Sequence, residues 1–139
     1  MNSADDVNNI NTKKDLSKYR LEKAKNCLQA AKTLLEHELY EDATNRAYYC
    51  IFHSIRSILA LDGIEFKRHS GNVSYFREKY IKTGVFDKSF SEIIGDALTV
   101  RSDSDYGDFT VISKQDVTEQ VSNAELFYDT IKKYLINID

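Results

Sequence analysis

One arginine lies where the sequence pattern predicts a buried helix face. Residues 96–109 read DALTVRSDSDYGDF, and Arg101 follows apolar residues at helical spacing. Phe90, Ile94 and Ala97 define an apolar arc on a helical wheel of about 100° per residue, and Arg101 falls within that arc. A guanidinium on an apolar face needs a partner, because an unpaired charge is costly in a low dielectric. Its planar set of N–H donors fits a phosphate, so the chemistry indicated is anion binding.

Two residues close behind Arg101 carry groups that exchange protons. Asp105 lies four residues on, on the same side of the predicted helix, and Tyr106 follows it. An ionised carboxylate accepts a proton, and a phenol with a pKa of about 10 can donate one. A structural interpretation stays open beside this one. Arg101 is near the end of its helix, where the helix dipole favours a cation, and its head can pair with Asp105 while its stem lies along the helix.

A stripe of polar residues follows one side of the predicted second helix. Apolar residues fill an arc of about 200° on that helix, which is too wide for a surface helix and predicts a central position. The rest of the wheel collects Asn45, Arg46, Tyr49, His53, Arg56 and Ser57. Cationic and aromatic side chains of this kind grip phosphates and stack on bases. The alternative for His53 is a hydrogen bond that steadies the helices.

The loop after the second helix adds further basic residues. It reads IEFKRHSG, in which Lys67 and Arg68 form a small basic rim. His69 comes next, and it either orients the start of the third helix or contributes to the same RNA-binding or nucleotide-binding surface.

The aspartates behind Arg101 do not form a calcium loop. An EF-hand loop that starts at Asp103 requires glycine at position 108 and glutamate at position 114. The chain has Asp108 and Lys114 there. We therefore expect no metal site and no cofactor.

The elements that position these residues are predicted to be helices. The chain contains no proline and five glycines, which favours an all-α fold, because sandwiches and barrels use these residues at their many turns. We predict an up-and-down bundle of four to five helices over residues 14–139, taken as a single domain, after a mobile polar tail at residues 1–13. The apolar spacing places four helices at roughly 15–39, 41–61, 87–104 and 114–137, and a shorter third helix around Val73, Phe76 and Tyr80 that ends near Gly84. Ser113 is the predicted N-cap of the last helix, and Gly63 the residue that ends the second with positive φ.

Composition narrows the class of protein. A length of 139 residues suits one core, and a net charge of −3 argues against a general polyanion binder while leaving room for a local basic patch. Cys27 and Cys50 are predicted to be reduced core residues. No apolar run is long enough to span a bilayer, and no signal peptide is seen. We therefore expect a cytoplasmic protein without membrane contact.

Two segments together resemble a known family. The segment NRAYYCIFHSIRSILALDGIEFKRHSG at 45–71 and RSDSDY at 101–106 are similar to the HEPN superfamily, in the bacterial and archaeal branch with AYYA-x-FHA, K-x-H-x-G and R-x-x-x-D-Y elements. The resemblance extends over roughly residues 17–136. It implies a helical bundle that forms a homodimer, with the two arginine motifs in a shared cleft. Many members are metal-independent RNA endonucleases, and others are toxins paired with a minimal nucleotidyltransferase antitoxin.

The chain departs from the family nucleases at one position. Those enzymes carry a histidine separated from the arginine by four to six intervening residues, whereas this chain has Tyr106, Gly107 and Asp108 at those positions. Cleavage of RNA by its own 2′-hydroxyl needs a proton acceptor, a proton donor and positive charge on the phosphate, and imidazole suits either proton role. His53 is a candidate proton carrier if the polar stripe faces Arg101.

Three functions follow from these observations. In the first, the chain is the RNA-directed, toxin-like partner of a minimal nucleotidyltransferase and a metal-independent ribonuclease, with Tyr106 as a target for modification by that enzyme. In the second, it is a non-catalytic nucleotide-binding or scaffold module that dimerises and recruits the nucleotidyltransferase. In the third, the bundle is purely structural. For the first, the candidate catalytic residues are Arg101, Asp105, Tyr106 and His53, and the candidate RNA-binding or nucleotide-binding residues are Arg46, Tyr49, Arg56, Lys67, Arg68 and His69.

Overall fold

Helices make up most of the chain that this computed structural model describes, which is residues 3–106 and 111–138. Side chains are described for 11–103 and 111–138. The helices are α1 (Ser3–Glu36), α2 (Tyr40–Asp62), α3 (His69–Phe76), α4 (Ser89–Tyr106) and α5 (Lys114–Asn137), and a π-helical turn at Arg77–Ile81 continues α3. No strand occurs in these ranges, so the predicted all-α class is confirmed. None of the helices within them is long and apolar enough to cross a membrane.

The second helix is the centre of the fold. α2 contacts each of the other four helices, as its wide apolar arc predicts. Ile55, Ile58 and Leu59 on α2 have no exposed surface. A central helix with a single polar stripe can present that stripe only where its neighbours leave a gap. This arrangement determines where a functional site can form.

An aromatic cluster joins the helices that pack around α2. Phe76 ends α3, Phe90 lies on α4, and Phe127 lies on α5. The ring centroids of Phe90 and Phe127 are 4.9 Å apart, and those of Phe76 and Phe127 are 5.7 Å apart. Phe76 and Phe127 are fully buried. These rings fix α4, and therefore Arg101, relative to the rest of the bundle.

The first helix differs most from its prediction. α1 begins at Ser3 rather than near residue 15, and it ends at Glu36 rather than near residue 39. The early end has a local cause, since Glu38 has a φ of 62°, which no α-helix accommodates. The predicted mobile tail at 1–13 lies partly outside the described residues, and its mobility stays a prediction.

The end of α2 and the start of α5 follow the expected local chemistry. Gly63 has a φ of 69°, and its N–H bonds back to carbonyls of the last turn of α2, as expected for a glycine at this position. The side chain of Ser113 accepts a hydrogen bond from the Asp116 N–H at 3.0 Å, so the predicted N-cap of α5 is confirmed. α4 continues to Tyr106, two residues past its predicted end near 104, and residues 107–110 lie outside the described part.

Candidate functional site

Arg101 lies against two tyrosine rings of the central helix. Its guanidinium carbon is 4.6 Å from the ring centroid of Tyr48 and 5.3 Å from that of Tyr49. One of its terminal nitrogens donates to the Tyr49 hydroxyl at 3.5 Å. A cation over an aromatic face is attracted by the negative charge of the ring surface. Arg101 is thus held toward α2, as the helical wheel predicted, and is partly buried.

His69 joins the same group from the start of α3. Its Nδ1 atom is 2.8 Å from the Tyr48 hydroxyl, within hydrogen-bonding distance. The imidazole stacks on the Phe52 ring, with centroids 3.9 Å apart. Side chains from α2, α3 and α4 therefore converge in one place. We call Tyr48, Tyr49, Phe52, His69 and Arg101 the Arg101 cluster.

Burial and the positive charge of Arg101 determine the protonation states of Tyr48 and His69 in the cluster. Burial raises the pKa of the Tyr48 hydroxyl, although the charge of Arg101 opposes the shift. Burial also lowers the pKa of His69, and the charges of Arg101 and Arg56 act in the same direction. Near neutral pH, Tyr48 is therefore a hydroxyl and His69 a neutral imidazole. A neutral imidazole beside a guanidinium can accept a proton from a group that the guanidinium binds.

His53 and His69 are both partly buried, but one ring nitrogen of His53 is enclosed. Its Nδ1 atom is buried and has no hydrogen-bond partner among the described residues. Burial, together with the positive charges of Lys23 and Arg56, lowers the pKa of His53 to about 4. The imidazole lies 5.8 Å from the Tyr49 ring, centroid to centroid. The proton-carrying role of His53 stays a prediction. Because one of its ring nitrogens is enclosed, His69 is the better candidate for that role.

The low pKa of His53 makes a testable contribution to stability. As the pH falls from about 6.5 toward about 4, the unfolded chain binds a proton at this residue that the folded chain does not. The free energy of unfolding therefore decreases. Between about pH 7.5 and about pH 5.5, His53 is expected to account for up to about 1 kcal/mol of the decrease in the free energy of unfolding. Urea unfolding at the two pH values is expected to show a smaller decrease for His53→Asn than for the unmodified chain.

The exposed His37 of α1 provides the control for this measurement. The variant His37→Gln is expected to keep the pH dependence of the unmodified chain. An unchanged pH dependence in His53→Asn would contradict the proposed burial cost.

A buried arginine that the sequence analysis did not select supports the neighbouring loop. Arg20 is 6% exposed. It donates to a Glu65 carboxylate oxygen at 2.8 Å and to the Arg56 carbonyl at 3.2 Å. Arg56 donates to the same carboxylate oxygen at 3.2 Å. Arg20 precedes Ala24 by four residues and lies on the apolar stripe of α1. The sequence therefore shows an arginine on an apolar helix face here, as it does at Arg101.

A groove opens beside the cluster, between α2 and the start of α3. It has a volume of about 440 Å³ and is lined by Phe52, Arg56, Glu65, Phe66, Lys67, His69 and Asn72. We call it the α2–α3 groove. The buried Asn72 fixes its rim, because the side-chain amide donates to the carbonyls of Phe66 at 3.2 Å and Arg68 at 2.8 Å. Cations and aromatic rings thus line one surface.

The other predicted site residues lie at different distances from this surface. Arg46 is beside it, with its guanidinium carbon 5.2 Å from the Tyr49 ring centroid, so two arginines share that ring. The Arg46 side chain also donates to the Asn45 amide oxygen at 2.7 Å. Arg68 is exposed and is not among the residues that line the groove. The side chains of Asp105 and Tyr106 lie outside the described residues, although both belong to α4.

The surface as a whole suits a flexible polyanion that carries planar groups. Guanidinium groups bind phosphates, and exposed aromatic rings stack on bases that are not paired in a duplex. Phe66 is the ring available for stacking, since it is 39% exposed, whereas Tyr48 and Phe52 are buried and support the surface from below. The site therefore has the features of a nucleic-acid interface. It forms a local basic surface on a chain whose net charge is −3.

The chain belongs to the HEPN domain family, whose family model matches residues 17–134. It is 31% identical over 126 residues to a protein of Thermotoga maritima named "UPF0332 protein", covering 91% of this chain and 96% of the relative. It is 33% identical over 125 residues to "Putative toxin MJ0142" of Methanocaldococcus jannaschii, covering 90% and 84% of the two chains.

A solved structure shows the same fold. The match to the crystal structure of ST0689, an archaeal HEPN homologue, has a TM-score of 0.60 at 17% identity. It covers 86% of this chain and 97% of that chain. The HEPN resemblance and the predicted helical fold are thus confirmed.

Proposed function

We propose that this chain is a toxin-like HEPN protein that binds RNA at the Arg101 cluster and along the α2–α3 groove. The observation that carries the proposal is the Arg101 guanidinium, held over Tyr48 and Tyr49 with His69 bonded to the same Tyr48 hydroxyl. A phosphate beside Arg101 would lie close to a neutral imidazole. The name of the Methanocaldococcus jannaschii relative supports the toxin-like part.

The proposed reaction is metal-independent cleavage of the RNA backbone. Arg101 holds the phosphate, and His69 accepts the proton of the 2′-hydroxyl as its oxygen attacks phosphorus. The bond from phosphorus to the 5′-oxygen breaks, and that oxygen takes up a proton. The products are a 2′,3′-cyclic phosphate and a 5′-hydroxyl. Tyr106 or Asp105 is the proposed donor of the proton that the 5′-oxygen takes up. His53 is the alternative candidate for the proton acceptor in place of His69.

Replacement of His69 tests the catalytic part of this proposal. The variant His69→Gln can still hydrogen-bond to Tyr48 but cannot exchange a proton near neutral pH. The cleavage rate is expected to fall by about 100-fold or more, which is the usual contribution of a general acid or base, and RNA affinity is expected to fall by a much smaller factor. Single-turnover cleavage and fluorescence anisotropy on the same labelled RNA measure the two quantities.

The outcomes of this experiment separate the functions. An unchanged cleavage rate would remove His69 from the mechanism. An intact protein that binds RNA without cutting it would point to the alternative, a non-catalytic nucleotide-binding or scaffold module. The absence of a histidine at positions 106–108 favours that alternative.

The proposed partners are a second copy of the chain and a minimal nucleotidyltransferase. A homodimer would bring two Arg101 clusters together, and light scattering that gives a monomer mass at high concentration would contradict it. Modification of Tyr106 by the nucleotidyltransferase, with ATP, would raise the intact mass of the chain. An unchanged mass would remove that part of the proposal.

A further inference from the structure

A second groove lies where α2 and α5 end. Its apolar lining consists of Leu21, Leu61, Leu135 and Ile136, and the lysines in its lining are Lys14, Lys18 and Lys132. Its volume is about 100 Å³, which is enough for an apolar side chain to enter. We call it the lysine groove.

The lysine groove is separate from the Arg101 cluster. Leu61 in the groove and Phe52 in the cluster are nine residues apart on α2, which places them on opposite faces of a helix with about 100° per residue. The groove is lined by α1, α2 and α5, whereas the cluster is built from α2, α3 and α4. The proposed RNA-binding function therefore makes no use of the groove.

The charged residues that line the lysine groove are all cationic. No aspartate or glutamate is among its lining residues. Lys18 of α1 and Lys132 of α5 form no ion pair with any residue in the described part of the chain. Farther along the same two helices, Lys32 of α1 does pair with Glu125 of α5. The two helices thus carry an ion pair at one level, and at the other level Lys18 and Lys132 remain available for a ligand.

The apolar lining is also incompletely covered. Ile136 is 61% exposed although it borders the groove. An apolar depression rimmed by polar groups is typical of a protein-binding surface. Because the rim is cationic and lacks carboxylates, the complementary ligand carries acidic residues around an apolar one.

We propose that the lysine groove binds an acidic amphipathic helix of a protein partner. One apolar side chain of that helix enters between Leu21, Leu61 and Leu135. Carboxylates one turn before and after it pair with Lys18 and Lys132. This proposal does not depend on the proposed RNA-binding function, and neither would fall with the other.

The test uses two synthetic amphipathic helices as probes. Both carry leucine on one face, and the other face is glutamate in one peptide and lysine in its counterpart. The full chain is expected to bind the glutamate peptide at least about tenfold more tightly than the lysine peptide. Lys132→Glu is expected to weaken glutamate-peptide binding by about tenfold, as measured by fluorescence anisotropy.

Neighbouring residues of α5 supply matched controls. Lys133 is exposed but is not part of the groove lining, so Lys133→Glu makes the same charge change and is expected to alter the affinity by less than about twofold. Ile136→Ser is expected to weaken binding, whereas Leu126→Ser, at an exposed apolar residue outside the groove, is not.

Three results would overturn the proposal. Equal binding of the two peptides would show that charge does not select the ligand. Equal effects of the Lys132 and Lys133 variants would show that binding occurs elsewhere. Binding to phosphatidylglycerol vesicles that is lost in Lys132→Glu, without binding of the glutamate peptide, would assign the groove to a lipid surface instead.

Discussion

The variant Arg101→Ala is expected to lose about 30- to 150-fold in RNA affinity, because removing one partner of a partly buried ionic contact costs about 2–3 kcal/mol. Cleavage is expected to fall at least as far. Among the described residues of α4, the Arg101 guanidinium is the cation that lies over the Tyr48 and Tyr49 rings. No nearby side chain of that helix can therefore replace it.

Salt dependence gives this prediction a second readout. A cation that contacts a phosphate displaces bound counterions, so its loss is expected to reduce the slope of log affinity against log salt by about one. The variant Arg101→Lys is expected to keep most of that slope but only part of the affinity, since an ammonium cannot form two parallel hydrogen bonds to phosphate.

Stability measurements distinguish an RNA-binding role of Arg101 from a purely structural role. Loss of the contacts with Tyr48 and Tyr49 is expected to cost only about 0.5–1 kcal/mol, so Arg101→Ala remains folded. Arg77 provides the control, because it donates to the Ser91 carbonyl at 3.1 Å, away from the cluster. Arg77→Ala is expected to lower the melting temperature without changing RNA affinity. If Arg101→Ala behaves in the same way, Arg101 is a structural residue.

The variant Phe127→Ala is expected to lower the free energy of unfolding by about 3–5 kcal/mol, as for other fully buried aromatic residues. Phe127 has no exposed surface and contacts the rings of Phe76 and Phe90. Its removal leaves a cavity between three helices that cannot close without moving α4. For a chain of this size the melting temperature is expected to fall by roughly 10–20 °C.

The adjacent residue makes a matched control for Phe127. Leu126 is on the same helix but is 53% exposed, and Leu126→Ala is expected to cost less than about 1 kcal/mol. Urea unfolding of the two variants measures the difference. A cost for Phe127→Ala as small as that for Leu126→Ala would show that the aromatic cluster does not hold α4 in place.

The sequence predicted the parts of the fold that local signals define. The apolar spacing and the caps at Gly63 and Ser113 located α2 and α5, because helical periodicity and capping chemistry are properties of short segments. The start of α1 was not predicted, since its first residues are polar and carry no apolar stripe. The sequence likewise gave no signal for the π-helical turn after α3.

The candidate site was predictable only in part, because its contacts are between distant segments. Arg101 and the polar stripe of α2 could be selected from the wheel, and the structure brings Tyr49 and Arg101 together. The bond between Tyr48 and His69 crosses 21 residues and a loop, so no pattern in either segment indicates it. Arg20 lies on an apolar stripe as Arg101 does, but no recognisable motif follows it in the sequence.

Several hydrogen bonds within the chain itself already hold the segment between α2 and α3 in place. Glu65 is bonded to Arg20 and Arg56, and Asn72 holds the carbonyls of Phe66 and Arg68. A ligand therefore meets a rim whose backbone needs little rearrangement, and the entropy lost on association is correspondingly small. Complex formation is expected to proceed at a rate set by diffusion and charge steering, without a slow ordering step.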